Sequence, residues 1–207
     1  MNVRGRSFTF LDELPSTRFV IDNIETWEQD TFDTIDRYVH GGTFVDIGAW
    51  CGIFSLYASF VADRVLAFEP DPVAYDLLKR NIAANGRDNI TPLNFAVWDH
   101  SDGVTLGVHS EGFGSSMTGP SRCGGLAVNC ATYTPAQIRW LCEFDTVDLV
   151  KVDTEGSETH IVPGLIDWDV PIHLSIHVRE MDGYLDYGGR DVVTLVEHHD
   201  YPVVLLP

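Results

Sequence analysis

A chain of 207 residues with 44% hydrophobic and 21% charged residues suits one α/β domain, residues 1–207, with a sizeable core. Its formal net charge of -18 sets 31 acidic residues against 13 basic ones, which argues against nucleic acid and anionic membranes as partners, since both recruit lysine and arginine. No apolar run approaches the ~20 residues of a membrane helix, and no apolar core follows the polar start Met1–Arg6, so the expectation is a cytoplasmic protein with reduced thiols at Cys51, Cys123, Cys130 and Cys142.

In chain order, residues 1–25 read as a short β extension, with Ser7–Leu11 and Arg18–Ile21 as strands around a Pro15-Ser16 turn. Trp27, Phe32, Ile35 and Tyr38 recur at helical spacing, and Gly41-Gly42 ends that helix. Phe44–Ile47 is a short apolar run of the buried-strand type. It breaks into a turn holding Gly48 and Gly52, and Ile53, Leu56, Tyr57 and Phe60 then follow as a helix. Strand, glycine turn and helix in that order build a nucleotide site at the carboxyl end of a strand in an open α/β sheet. Gly48 lets the backbone turn tightly and approach a ligand, because no Cβ stands in the way. The bland alternative is an ordinary strand-to-helix turn in a cofactor-free protein.

Arg64–Phe68 is the second core strand and closes on Glu69-Pro70-Asp71-Pro72. Glu69 stands 23 positions after Asp46, near the ~20 that separate a glycine turn from the acid that takes ribose hydroxyls. A carboxylate suits that task because it accepts two hydroxyl hydrogens side by side. A helix over Val73–Ala84 follows, closed by Asn85-Gly86, and Ile90–Phe95 is the third strand. Asn94 lies where it would meet a base edge, or else serves as a turn residue. Residues 100–135 break the alternation as a β-rich insertion, with strands at Val104–Val108 and Leu126–Ala131 around the small-residue loop Ser110–Gly119. Thr134 caps a helix to Trp140. Val147–Val152 is the fourth strand and runs into Asp153-Thr154-Glu155-Gly156-Ser157-Glu158. Ile172–Val178 is the fifth, with His173, Ser175 and His177 on one face. A helix over Asp191–His199 and a last strand over Tyr201–Leu206 complete the pattern.

The acid-led turn Asp46-x-Gly48-x-x-x-Gly52 departs from the Gly-x-Gly-x-x-Gly of dinucleotide enzymes and resembles motif I of class I S-adenosylmethionine (SAM) methyltransferases. Val45–Ala49, Phe68–Pro72, Asn81 and the Lys-x-Asp-x-Glu-Gly-x-Glu element of Lys151–Glu158 together resemble the FkbM family of those enzymes, over about residues 27–180. Many members carry Glu where Ser175 stands, and the sheet of that superfamily usually closes with a sixth and an antiparallel seventh strand, of which only one is evident here.

The resemblance implies a Rossmann-like three-layer sandwich on a mostly parallel sheet, with SAM as cofactor. It implies O-methylation of a hydroxyl on a sugar or other small metabolite. Asp46, Gly48, Ala49, Gly52, Glu69, Pro70, Asn94 and Asp153 would then hold the cofactor, with Asp46 near its methionine end. Methyl transfer is an in-line displacement, so donor and acceptor must be aligned, and a base may take the hydroxyl proton. A histidine near its ordinary pKa of ~6.5 suits that step, and His177 at the end of the fifth strand is placed for it. Asp153 and Glu155 are suited to orient that histidine, to hold the cofactor's amino group, or to bind a divalent metal, the last being the minority reading for want of a second acid pair. Readings from other classes are a non-catalytic SAM-fold binding module and a nucleotide-binding oxidoreductase, the latter opposed by the acid-led turn.

At a net charge of -18, self-repulsion weakens the compact state and salt screens it. The expected outcome is a higher Tm in molar salt than in dilute buffer, and no retention on DNA or heparin columns at physiological salt. Tight retention would point to a nucleic-acid substrate.

Overall fold

The computed structural model describes residues 1–108, 114, 119, 126–142, 146–177, 187–197 and 202–207. The chain opens with a minimal hairpin of β1 (Asn2–Val3) and β2 (Arg6–Ser7), whose turn places Arg4 and Gly5 both at positive φ. The second expected strand of this extension is a helix instead. Arg18–Ile21 lies within α1 (Pro15–Asn23), where Pro15 opens the first turn, the Thr17 hydroxyl accepts the Leu14 N–H and donates to the Leu14 carbonyl, and Thr17 and Val20 turn inward one turn apart. That local cap outweighs the β preference of Phe19, Val20 and Ile21. α2 (Gln29–Tyr38) starts two residues after Trp27, the first residue of its apolar pattern, because Glu28 takes a left-handed conformation at φ 42°.

The core is a seven-stranded sheet. Its strands are β3 (Thr43–Ile47), β4 (Arg64–Phe68), β5 (Ile90–Leu93), β10 (Val147–Val152), β11 (Ile172–Ser175), β12 (Val193–Glu197) and β13 (Pro202–Leu206). The order across the sheet is β12-β13-β11-β10-β3-β4-β5, with β13 antiparallel to both its neighbours and the rest parallel. The edge is therefore complete: the expected helix over Asp191–His199 holds β12 instead, while His198 and His199 fall outside the described residues. Val193, Leu195 and Val196 favour the extended state, and the antiparallel partner Pro202–Leu206 supplies their hydrogen bonds.

Helices cover both faces. α1, α2, α3 (Ile53–Ala58) and α4 (Pro72–Asn85) pack with Phe44, Val65 and Leu149 on one side. α5 (Pro135–Leu141) and α6 (Glu158–Leu165) pack with Val45, Leu66 and Val150 on the other. This alternation of neighbouring strand residues between two cores makes three layers. Between β5 and α5, the short β6 (Ala96–Val97) pairs with β9 (Thr132–Tyr133), and β7 (Val104–Val108) with β8 (Leu126–Cys130) as an antiparallel hairpin. Most of the loop Ser110–Gly119 lies outside the described residues. Its Gly114 donates to Asp71 and accepts from the Trp50 indole, and its Gly119 pairs with Gly107.

Buried Asn81 on α4 joins two segments far apart in sequence. Its amide donates to the Cys51 carbonyl, and its oxygen accepts the Leu11 N–H at 2.8 Å. Cys51 is itself fully buried, and burial pushes its thiol well above the usual range, in keeping with a packing role.

The start of the β3–β10 pairing depends on a register shift between Val147 and Leu149. It aims Asp148 at the backbone amides of His40 (2.7 Å) and Gly42 (2.8 Å). Asp148→Ala leaves both amides without that acceptor and should cost about 1–3 kcal/mol. Urea unfolding checks this, as a lower midpoint at unchanged slope.

Candidate active site

The strand order reverses between β3 and β10, and the carboxyl ends of those strands hold the site. Gly48, just past β3, has φ 80°, and a Cβ there would lie 1.8 Å from the Asp153 carbonyl oxygen. The close approach that requires glycine is thus to the loop after β10, and it locks the two strand ends together. The N–H groups of Gly48 and Ala49 donate to the Phe68 carbonyl at 3.0 and 2.9 Å, tying the same turn to β4. Gly52 has φ 87° and faces Leu78, where a Cβ would sit 2.3 Å from Cδ1.

Beneath the turn, Asp46, Lys151 and His173 stand side by side on β3, β10 and β11, in register and buried. Lys151 Nζ lies 3.2 Å from Asp46 Oδ1 and 3.6 Å from Asp153 Oδ2, and donates to the Gly48 carbonyl at 3.1 Å. Ser55 Oγ donates to the other Asp46 oxygen at 2.6 Å. Burial works against the ammonium, but Asp46, Asp153 and Glu28 more than reverse it, so Lys151 stays ionised above its usual range. His173 is held at about 3, by burial first and then by Lys151, and is neutral. Thr34 donates its hydroxyl to the Asp30 carbonyl and so accepts from His173 Nδ1–H, while Thr31 donates to Nε2. His173 is a structural residue.

Glu69 ends β4 and is buried at the cavity wall. Its oxygens accept the N–H groups of Trp50 and Asp71, both at 2.7 Å, and each keeps a lone pair for a further donor. Burial pushes its carboxyl up to about 8 even against these two bonds. Asn94 stands outside the cavity wall, and its amide donates to the carbonyls of Glu69 (2.8 Å) and Pro70 (3.2 Å). Its structural role is to hold the turn. Phe95, Ala96 and Val97, at and just past the end of the expected third strand, form an apolar wall with Leu106 of the insertion, which sequence reasoning missed. The pairing of β6 with β9 directs Ala96 and Val97 there, and Leu106 comes from β7.

At the ends of β10 and β11, His177 lies among three carboxylates. Nε2 is 3.4 Å from Asp153 Oδ1 and 3.6 Å from Glu155 Oε1, and Nδ1 is 3.4 Å from Glu158 Oε1. Glu158 is fully buried, and the same oxygen accepts from the Thr154 hydroxyl and from the N–H groups of Thr154 and Gly156. Glu155 sits at φ 55°, a left-handed conformation uncommon for a side chain of its size, and its carbonyl packs where Gly119 has no Cβ. Burial lowers the imidazole pKa, yet the hydrogen bond to Glu158 and the charges of Asp153 and Glu155 raise it to about 9. The expectation of a histidine titrating near ~6.5 is therefore corrected: at neutral pH His177 is an imidazolium that donates to its acids. For Asp153, burial opposes ionisation, but Lys151 and His177 hold its carboxyl below the usual range, so it keeps its charge. Among the described residues no group of histidine, cysteine and acidic side chains is placed to hold a metal ion.

The cavity these elements enclose is about 220 Å³. Its acids suit the positive charges of SAM's sulfonium and amino group, Glu69 suits ribose hydroxyls, and the apolar wall suits a base.

No family model matches the chain. Methyltransferase sdnD of Sordaria araneosa is 25% identical over 173 residues, covering 67% of each chain. A ribosomal protein L11 methyltransferase of Clostridium perfringens is 45% identical over 71 residues, which is 33% of this chain and 23% of that one. The chain thus spans about two thirds of the first relative's length and under a quarter of the second's. The crystal structure of methyltransferase FkbM from Methylobacillus flagellatus superposes with a TM-score of 0.54 at 16% identity, covering 80% of this chain and 43% of that one. The fold is that of a class I methyltransferase. SAM is the cofactor these likenesses imply, and they support a SAM-dependent methyltransferase.

Of the cofactor residues expected in this methyltransferase fold, Gly48, Ala49, Glu69, Pro70 and Asp153 line the cavity. Asp46 and Gly52 lie behind the wall and shape it, and Asn94 is apart. Trp50 and Glu28, both at positive φ, are wall residues that no sequence spacing singles out. No helix among the described residues is long and apolar enough to cross a membrane.

Because the folded state raises the His177 pKa, the stabilisation it gives is complete below ~6.5 and lost as pH rises through about 9. His177→Asn should therefore cost most stability near pH 6 and least near pH 10. A loss of equal size at both ends, in denaturant unfolding at each pH, would contradict the caged imidazolium.

Proposed function

We propose that the chain is an O-methyltransferase of the FkbM type that transfers the methyl group of SAM to a hydroxyl of a sugar or another small metabolite. Asp46, Gly48, Ala49, Gly52, Glu69 and Pro70 form the cofactor side, and Asp153, Glu155 and His177 the reacting side. The observation that carries this reading is the meeting of Glu69, the Gly48 turn and the Lys151–Glu158 element around one cavity at the point where the strand order reverses. Asp153 keeps its charge beside the place where a sulfonium would sit, and His177 fixes the geometry of Asp153 and Glu155 through 3.4 and 3.6 Å contacts. The net charge of -18 favours a small acceptor over a nucleic acid. The short stretch shared with a ribosomal protein L11 enzyme favours a second reading, in which the acceptor is a protein.

Isothermal titration should give competitive binding of SAM and S-adenosylhomocysteine and none of NAD. Glu69→Ala removes an ionisable hydrogen-bond acceptor and should weaken SAM by about 10- to 150-fold, the equivalent of ~1.5–3 kcal/mol. Wild-type affinity in that variant would refute the ribose assignment. A screen of sugar and metabolite hydroxyls with methyl-labelled SAM identifies the acceptor, and label found in protein instead would favour the second reading. Cofactor binding with no transfer to any acceptor class would leave a binding module.

A further inference from the structure

Four hydrogen bonds close a circuit at the cavity wall. The N–H groups of Trp50 and Asp71 donate to Glu69 Oε2 and Oε1, each at 2.7 Å. Asp71 Oδ2 accepts the Gly114 N–H at 2.8 Å, and the Gly114 carbonyl accepts the Trp50 indole N–H at 3.0 Å. From the glutamate the path runs through the glycine turn, the insertion and the N-terminal cap of α4, and returns to the glutamate. Trp50 is the member that reaches both ways, with its main chain on Glu69 and its ring on Gly114.

Each member is held in place by something besides the circuit. Trp50 has φ 48°, a conformation uncommon for so large a side chain, and its ring leans on Phe10 at 6.3 Å. Gly114 has φ 83°, and a Cβ there would stand 2.8 Å from Val73 Cγ1. The other Asp71 oxygen accepts the N–H groups of Val73 and Ala74, so this carboxylate cannot rotate without uncapping α4. Asp71 is also buried, where water does not replace a lost partner. Further along the same insertion, Gly119 exchanges two hydrogen bonds with Gly107 and lies against the Glu155 carbonyl. The insertion is thus anchored beside Glu69 through Gly114 and beside the loop after β10 through Gly119.

Resting on the methyltransferase reading above, in which Glu69 takes the ribose hydroxyls, we propose that Trp50 is a positioning residue for that site: its main chain aims the Glu69 carboxylate and its indole ties the same carboxylate to the insertion, so that ribose bound at Glu69 and the anchorage of Gly114 strengthen one another. Each Glu69 oxygen carries one circuit bond and keeps a lone pair for a hydroxyl. Two hydroxyls donating there favour the ionised carboxyl that burial opposes, and both circuit bonds at Glu69 then become charge-assisted. Hydrogen bonds in a chain polarise one another, so the gain passes through Asp71 and Trp50 to Gly114. Linkage makes the effect mutual: what ribose does for the indole bond, that bond does for ribose.

The test uses the full chain and follows, by NMR, exchange of the Trp50 indole proton with solvent, its resonance being the one missing from Trp50→Phe. At saturation, S-adenosylhomocysteine and adenosine should each slow that exchange by about fivefold or more, and 2′,3′-dideoxyadenosine, which lacks both hydroxyls, by less than about twofold. Equal slowing by the dideoxy compound, or none by S-adenosylhomocysteine that demonstrably binds, overturns the proposal. Gly114→Ala, at a position outside the cavity lining, loosens the circuit from the side of the insertion. With the circular dichroism of wild type, it should weaken adenosine by about fivefold or more and 2′,3′-dideoxyadenosine by less than about twofold, and Trp50→Phe should give the same split. Equal weakening of the two ligands, or of neither, in both variants reduces the circuit to packing and removes Trp50 from the ribose site. Failure of wild type to bind S-adenosylhomocysteine at all would instead refute the methyltransferase reading on which the proposal rests.

Discussion

A buried ammonium between two carboxylates holds the centre of this molecule together. Lys151 is almost wholly enclosed, with Asp46 on the neighbouring strand and Asp153 two residues further along its own. Removing any one of these charges from water costs several kcal/mol, which only close pairing recovers. The pairing also fixes position: it sets β3 beside β10 at the register Lys151↔Asp46, and through the Gly48 carbonyl it reaches the turn where the cavity begins. A hydrophobic replacement of the trio would serve stability equally well. What it would not supply is an ionised Asp153 at the mouth of a cavity, and that charge is the link from packing to chemistry.

The same economy of backbone approach recurs one layer up. Gly48 admits the Asp153 carbonyl, and Gly119 admits the Glu155 carbonyl, where a Cβ would stand 2.2 Å away. Each glycine lets one loop rest on the loop that carries an acid, so Asp153 and Glu155 are set by main-chain contacts as well as by their partners. Preorganised charges of this kind need little rearrangement when charge changes in a bound substrate.

Much of this was legible in the chain. The runs at Thr43–Ile47, Arg64–Phe68 and Val147–Val152 are buried on both faces and read as apolar strands, and Thr134 caps a helix as its type suggests. Glu69 was found by spacing, because strand, helix and strand occupy a nearly fixed number of residues. The failures are where tertiary context decides. Arg18–Ile21 is β-rich in composition but lies in a helix nucleated by Pro15 and Thr17, and Val193–Glu197 shows a helical spacing that its antiparallel neighbour overrides. Asn94 was read by its place after a strand, which carries no information on where its amide turns. The proton affinity of His177 was out of reach for a plain reason: Asp153, Glu155 and Glu158 are visible in the sequence, but their distances to one ring 19 to 24 residues away are not. Glu28 carries no motif at all, only a backbone angle.

Asn81 has a consequence for how this molecule moves. One side chain holds the Cys51 carbonyl of the glycine turn with its amide and the Leu11 N–H of the N-terminal segment with its oxygen. Asn85, one turn along, exchanges two further bonds with Thr9. The opening segment and the glycine turn are thus two loads on one hinge pin, although Cys51 lies 40 positions after Leu11. Free energies that share a partner are linked: whatever steadies the turn raises the cost of detaching the first dozen residues, and fraying of that end loosens the turn in equal measure. The opening segment is in that sense part of the glycine turn's support, coupled to it by reciprocity and without touching it.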